Sequence, residues 1–228
     1  MTCFRKTMVH VSAIFCLSGF ISSMQVLAGG YVENVAALEF FEEMKERHNF
    51  DELELRKLFS QVYRDQHILD LISKPAEKRL AWRNYREIFL DNARIKNGIK
   101  FWRENENVIS EVSDRSGVPG EIITAIIGVE TRYGKVMGNH RVVSALSTLA
   151  FDYPPRSRFF RKELEAFLLL TREEGKSPVE LRGSYAGAMG YGQFMPSSYR
   201  AYAVDSDKDG KRDIWNSRAD AIGSVANY

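Results

Sequence analysis

Cysteine is all but missing from this chain: Cys3 and Cys16 are its two, and both stand near the start. Residues 29–228 contain none. The fold they build therefore needs no disulfide, and its chemistry has no thiol nucleophile, even in an oxidising compartment. Long hydrophobic runs are also lacking. Val9 to Ile21 is mostly apolar but short and interrupted by serine. Arg5 and Lys6 precede it, and Val26-Leu27-Ala28 offers small residues before Gly29. This pattern reads as a secretory signal peptide over residues 1–28, with an uncleaved anchor as the alternative. No cysteine follows a small-residue lipobox, which disfavours a lipoprotein.

An excess of one charge is missing too. Without Arg5 and Lys6 the chain's 32 basic residues fall to 30, equal to its 30 acids. That balance argues against nucleic acid, whose binders are usually basic. There is no internal repeat and no low-complexity tract. With 44% hydrophobic and 27% charged residues, the chain has a globular composition and is long enough for one good core or two small lobes.

What is present is helical periodicity almost throughout, with no convincing strand. Val35, Leu38, Phe41 and Met44 mark a first helix over Glu33 to His48. Asp51 caps a second through Val62. Pro75 opens a long pattern carrying Leu80, Trp82, Tyr85, Phe89 and Ile95, and another runs from Phe101 to Val112, stopping at Ser116-Gly117. Pro119 suits the first turn of the next helix. From Gly120 to Thr131 that helix is apolar on nearly every side, as a central buried helix would be. Arg141 to Ala150 is amphipathic. Ser157 to Glu174 closes at Gly175. Asp220 looks like the cap of a last apolar run, Ala221-Ile222-Val225, which reaches Tyr228 with no stop signal, so the chain reads as truncated. The fold class is all-α, with two helical lobes facing a cleft.

Glu130 ends the apolar helix in Gly128-Val129-Glu130-Thr131-Arg132-Tyr133-Gly134. Desolvation and the negative end of the helix dipole both disfavour its charge. A carboxyl kept protonated near neutral pH is suited to general-acid work on a glycosidic oxygen. The competing reading is an ion pair with Arg132 or Arg141. A second segment, Gly183-Ser184-Tyr185-Ala186-Gly187-Ala188-Met189-Gly190-Tyr191-Gly192-Gln193-Phe194-Met195-Pro196-Ser197-Ser198-Tyr199, is dense in small residues that let a ligand approach the backbone. Ser184 and Gln193 offer polar groups to sugar hydroxyls and acetamides. Tyr185, Tyr191 and Phe194 offer flat faces to sugar rings. On composition alone, a tight interhelical loop explains the segment as well.

A third segment, Asp205-Ser206-Asp207-Lys208-Asp209-Gly210-Lys211-Arg212-Asp213, follows the first nine positions of an EF-hand loop. Asp205, Asp207, Asp209 and Asp213 are the acids, Gly210 makes the turn, and Lys211 contributes its carbonyl. Asn216 stands where the bidentate glutamate belongs, and Asp220 is the candidate to close a longer loop. A solvated Asp/Gly turn is the plainer alternative. His48, His67 and His140 are isolated and read as surface or core histidines rather than metal ligands.

The segments at 128–134 and 183–198, with Asp-Ala-Ile-Gly-Ser-Val-Ala-Asn-Tyr at 220–228, resemble the lytic murein transglycosylase B family. The resemblance extends over residues 29–228 as one catalytic region, and family members continue well past Tyr228. It implies a lysozyme-like helical domain with an added α-helical lobe and a structural calcium loop closed by Asp220. It implies Glu130 as the single acid and base cleaving peptidoglycan glycan strands to 1,6-anhydromuramyl ends. It implies substrate contacts by Ser184 and Gln193, and places Tyr85 and Tyr228 near the cleft. The expected setting is the periplasm of a Gram-negative-type cell, with outer-membrane association left open. The expected state is a monomer, with cell-wall synthesis or division proteins as further partners. A hydrolytic muramidase and a non-catalytic peptidoglycan-binding scaffold are the alternatives.

Overall fold

The computed structural model describes residues 30–74 and 81–228. The signal-peptide reading of residues 1–28 and the Pro75 helix start lie outside them. Among the described residues eleven α-helices follow one another: α1 Val35–His48, α2 Glu52–Phe59, α3 Gln66–Ser73, α4 Trp82–Phe89, α5 Asn92–Glu104, α6 Glu106–Ser116, α7 Gly120–Thr131, α8 Val142–Asp152, α9 Ser157–Glu173, α10 Pro196–Tyr202 and α11 Arg218–Asn227. Two short strands, β1 His140–Arg141 and β2 Arg182–Gly183, pair antiparallel. The all-α reading stands.

Short polar side chains set where these helices begin. Asn34 accepts the Ala37 N–H, Asp51 the Glu54 N–H, Asp65 those of His67 and Ile68, and Asp91 that of Arg94. Each satisfies a backbone donor that the first turn would otherwise leave free. The Asp91 cap splits the expected long pattern around Tyr85 and Ile95 into α4 and α5. Asn105 divides α5 from α6, where the Phe101 to Val112 pattern reads as continuous. The cap of α11 is Ser217, which accepts the Asp220 N–H, so Asp220 lies inside the first turn and is buried. Gly175, at φ +60°, follows the end of α9 as expected.

The most buried helix is α8, not α7. Every residue of α8 from Val142 to Ala150 except Ser144 is buried. Its stretch from Val142 to Phe151 has no charged residue, and Thr148 Oγ1 accepts the Asp65 N–H. By contrast, Ile122, Ile126 and Val129 of α7 are 52%, 40% and 45% exposed. The buried face of α7 is Ile123, Thr124, Ile127 and Gly128, so this apolar helix is sided after all. A single buried cluster links residues from Tyr31 through α8 and α9 to Ala226. The histidines are not isolated. His48 lies 2.7 Å from Glu165, and the rings of His67 and His140 stack at 6.2 Å.

Glu163 on α9 is buried and accepts both the Ser197 N–H (2.9 Å) and the Ser197 hydroxyl (2.7 Å). A carboxylate at the start of a helix offsets its dipole as well as its free donors. Helix α10 is only 7 residues long and would not persist unaided. Glu163→Ala is expected to lower the unfolding free energy by about 1–3 kcal/mol, the range for losing hydrogen bonds to a charged group. Glu163→Gln should recover part of it. Urea unfolding with unchanged midpoints would show that this cap is dispensable.

Candidate active site

The end of α7 is shaped by an unusual run of backbone. Arg132, Tyr133 and Gly134 take φ of +52°, +63° and +82°, and two of the three are not glycine. Non-glycine residues in this region carry strain that the surroundings must hold in place. Thr131 holds it. Its hydroxyl donates to the Tyr191 carbonyl (2.9 Å) and accepts the Gly134 N–H (3.0 Å). A Cβ on Gly134 would fall 2.2 Å from the Tyr191 ring, so that ring lies flat against the turn. The last turn of α7 is thereby fixed against the glycine-rich segment.

That segment folds on itself. Met189 and Phe194 exchange both backbone hydrogen bonds at 2.9 Å. Ser184 Oγ accepts the N–H groups of Ala186 and Ala188. Gln193, at φ +50°, donates its Nε2 to the carbonyls of Gly190 (3.0 Å) and Met137 (3.3 Å). Both bonds use the amide nitrogen, which leaves Oε1 to accept from a ligand.

A cavity of about 280 Å³ opens where these pieces meet, walled by Glu130, Gln193, Ser198, Tyr228, Phe194 and Ile126. Tyr228 stands edge-on to Phe194 (5.7 Å) and to Tyr202 (5.0 Å), presenting an exposed aromatic face. Glu130 is the cavity's one carboxylate among the described residues. Its surface opens to solvent, yet desolvation by the cavity walls pushes its carboxyl above the ordinary value of 4.5. Among the described residues it makes no ion pair with Arg132 or Arg141. Three carboxylates that follow it in sequence are engaged elsewhere: Glu163 with Ser197, Glu165 with Arg47 and His48, and Asp152 with Tyr31 and Arg64.

Of the residues read from the sequence, the structure thus brings Glu130, Gln193 and Tyr228 into one cavity. Tyr191 stands behind it, against Gly134. Ser184 does not line it; its oxygen is taken up by its own turn. Tyr85 lies on α4 between Trp82 (6.0 Å) and Phe89 (5.1 Å), away from the cavity walls. Ser198 and Met195 line the cavity without having been singled out. Their signal was positional: they stand one residue before and two residues after Pro196, which starts α10.

The acidic loop divides in two. Asp205, Asp207 and Asp209 bring carboxylate oxygens within 4.8 Å of one another. Asp213 instead accepts the Trp215 and Asn216 N–H groups and the Asn216 amide. Asp220 accepts the N–H groups of Ser206 and Asp207 on one oxygen and of Asp213 on the other. Gly210 supplies the turn at φ +88°. Three converging hard oxygen donors, with no Lys or Arg paired to them among the described residues, fit a divalent cation. The oxygens of Asp213 and Asp220, which the sequence reading has as ligands, are not among the three that converge.

Comparison with known proteins follows the same lines. Residues 33–228 match the transglycosylase SLT domain family. The membrane-bound lytic murein transglycosylase B of Escherichia coli (strain K12) is 44% identical over 211 residues, covering 89% of this chain and 58% of that protein. The soluble lytic transglycosylase SltB1 from Pseudomonas aeruginosa superimposes with a TM-score of 0.82 at 54% identity, over 85% of this chain and 65% of that one. The Escherichia coli lytic transglycosylase Slt35 in complex with calcium gives a TM-score of 0.83 at 46% identity, over 88% and 64%. The chain thus spans a little under two thirds of the length of these relatives.

The raised carboxyl of Glu130 has a consequence for stability. A group whose pKa is higher folded than unfolded favours folding below its ordinary pKa, and that contribution disappears as pH rises through the folded value. Glu130→Gln, which cannot ionise, is therefore expected to melt above the parent at about pH 8 and together with it near pH 4. A gap that is absent or reversed at high pH would mean that the ionised carboxylate is well solvated.

Proposed function

We propose that this chain, a member of the transglycosylase SLT domain family, cleaves the glycan strands of peptidoglycan as a lytic transglycosylase with Glu130 as its single acid and base. The observation that carries the reading is the lone carboxyl of the cavity, raised by desolvation and faced by an amide, a serine and aromatic rings. Ordinary glycosidases place two carboxyl groups across the scissile bond. This cavity has one, which suits a reaction whose second nucleophilic group comes from the substrate.

Glu130 in its neutral form protonates the oxygen between N-acetylmuramic acid and N-acetylglucosamine. The acetamide of the substrate stabilises the positive charge developing at the anomeric carbon, as in substrate-assisted glycosidases. The resulting carboxylate then takes the proton from the C6 hydroxyl, which attacks the same carbon. The glycosidic bond breaks, an internal ether forms, and no water is consumed. The Gln193 Oε1 is placed to accept from a sugar hydroxyl or acetamide N–H, and Tyr228 offers a face to a ring. An envelope location follows from the substrate. No described helix is long and apolar enough to cross a membrane.

The aspartate loop suits calcium, held by Asp205, Asp207, Asp209 and the Lys211 carbonyl. The ion's role is structural: it neutralises three crowded carboxylates and fixes the loop that leads into α11, whose end carries Tyr228. The calcium complex of the Slt35 relative supports this reading.

Mass spectrometry of purified peptidoglycan after incubation with the chain tests the reaction. Anhydromuramyl products are expected, falling by at least about a hundredfold in Glu130→Gln, the lower range for loss of general-acid catalysis. Reducing ends would instead assign a hydrolase, and bound glycan without turnover a scaffold. For the loop, calcium should raise the melting temperature, with about 2.7 kcal/mol of stabilisation at a hundredfold excess over Kd. Asp205→Asn/Asp209→Asn should abolish the shift; a shift that survives in this variant places the ion elsewhere.

A further inference from the structure

Outside the glycan cavity the molecule carries a second polar concavity, of about 460 Å³, between α1, α9 and α10. Arg47, Arg158, Arg161, Lys162 and Arg200 line it, against the carboxylates of Glu43 and Glu165. Those acids are already engaged, Glu43 with Arg161 (3.0 Å) and Glu165 with Arg47 (3.1 Å), while Arg200 is held by Glu173 (2.7 Å). Arg158 and Lys162 pair with no carboxylate among the described residues. They stand one helical turn apart on α9, where like charges repel. No acidic residue occupies the first turn of α9, where cations also oppose the helix dipole. Buried Leu169 and Ala166 close the floor, so a charge entering the cavity is partly removed from water.

We propose that this cavity binds the phosphate of an anionic phospholipid headgroup and seats the chain on a membrane surface. Guanidinium forks and an ammonium around a concavity match the several acceptor oxygens of a phosphate. Phe159, beside Arg158 in sequence, is 38% exposed, with Arg156 stacked 4.5 Å over its ring. Basic side chains next to an exposed aromatic are what an interfacial contact uses, and they favour a headgroup in a bilayer over a free anion. The attraction is local, since the formal net charge of the whole chain is only +2.

The geometry leaves the glycan cavity free. Ser198 lines that cavity and Arg200 the basic one. Two residues on a helix are turned about 200° apart, so the two cavities lie on opposite faces of α10. A chain held to lipid through Arg158 and Lys162 presents Glu130 away from the bilayer. This inference does not require that Glu130 cleaves glycan, and the two can fail separately.

The test is sedimentation of the chain with vesicles of phosphatidylcholine alone or mixed with phosphatidylglycerol, at low and high salt, with and without inorganic phosphate. Binding is expected to the phosphatidylglycerol vesicles only, to weaken with salt, and to be competed by phosphate. Arg158→Ala/Lys162→Ala should weaken it on the order of tenfold or more, the loss expected when two basic side chains leave an anionic surface. The charge-conserving Arg158→Lys/Lys162→Arg should retain it, and a melting curve shows whether either variant remains folded. Vesicle binding unchanged in the alanine variant overturns the site. Phosphate binding without vesicle binding overturns the headgroup as its ligand.

Discussion

Thr131 Oγ1 reaches 2.9 Å to the Tyr191 carbonyl and takes the Gly134 N–H in return. These two bonds determine where α7 stops relative to the glycine-rich segment. They act together with the backbone bonds from Arg132 N–H to the Gly128 carbonyl (3.2 Å) and from Tyr133 N–H to the Ile127 carbonyl (3.3 Å), which close the helix, and so fix the carboxyl of Glu130 relative to Gln193. The constraint spreads outward. Tyr191 can lie against the turn only because Gly134 lacks a side chain, and Gly190 must stay bare because a Cβ there would meet the Ile214 carbonyl at 2.6 Å. The site is therefore built from backbone contacts that small residues permit, with the reactive group added at the edge of a helix.

Much of this was legible in advance because it depends on residue type at one position. Asp51 caps α2, Gly175 follows α9, and an apolar helix ending in a glutamate is a recognisable source of a desolvated acid. Gln193 and Tyr228 fall within segments whose composition or family resemblance already marked them. What the sequence did not disclose depends on three-dimensional partners. Apolar residues all round α7 suggest burial, yet Ile122, Ile126 and Val129 face outward, while α8 is the helix enclosed on nearly all sides. The useful difference was charge: α7 contains Glu121 and Glu130, whereas α8 has no charged residue from Val142 to Phe151. Ser184 has a free hydroxyl on paper but spends its oxygen on Ala186 and Ala188. In the aspartate loop, regular spacing makes every acid look like a ligand. What sets Asp205, Asp207 and Asp209 apart from Asp213 and Asp220 is that their oxygens converge; all five accept hydrogen bonds within the loop.

Glu163 shows the same division of labour among carboxylates. It is buried and close in sequence to other acids, features that would also suit a catalytic partner for Glu130. Its two bonds to Ser197 give it a different task, orienting α10. Glu130 is the one carboxyl of the cavity wall among the described residues, and Glu163, Glu165 and Asp152 each have a partner elsewhere in the fold.

Helix α10 separates the two cavities, with Ser198 on one side and Arg200 on the other, and residues 29–228 contain no cysteine. A thiol introduced by Ser198→Cys or by Arg200→Cys would therefore be unique in that span. The same maleimide probe could then report on either side of one short helix, with no native thiol within residues 29–228 to compete for it. Occupancy of each cavity becomes separately readable by fluorescence in a single scaffold, a practical property that follows from what the sequence leaves out.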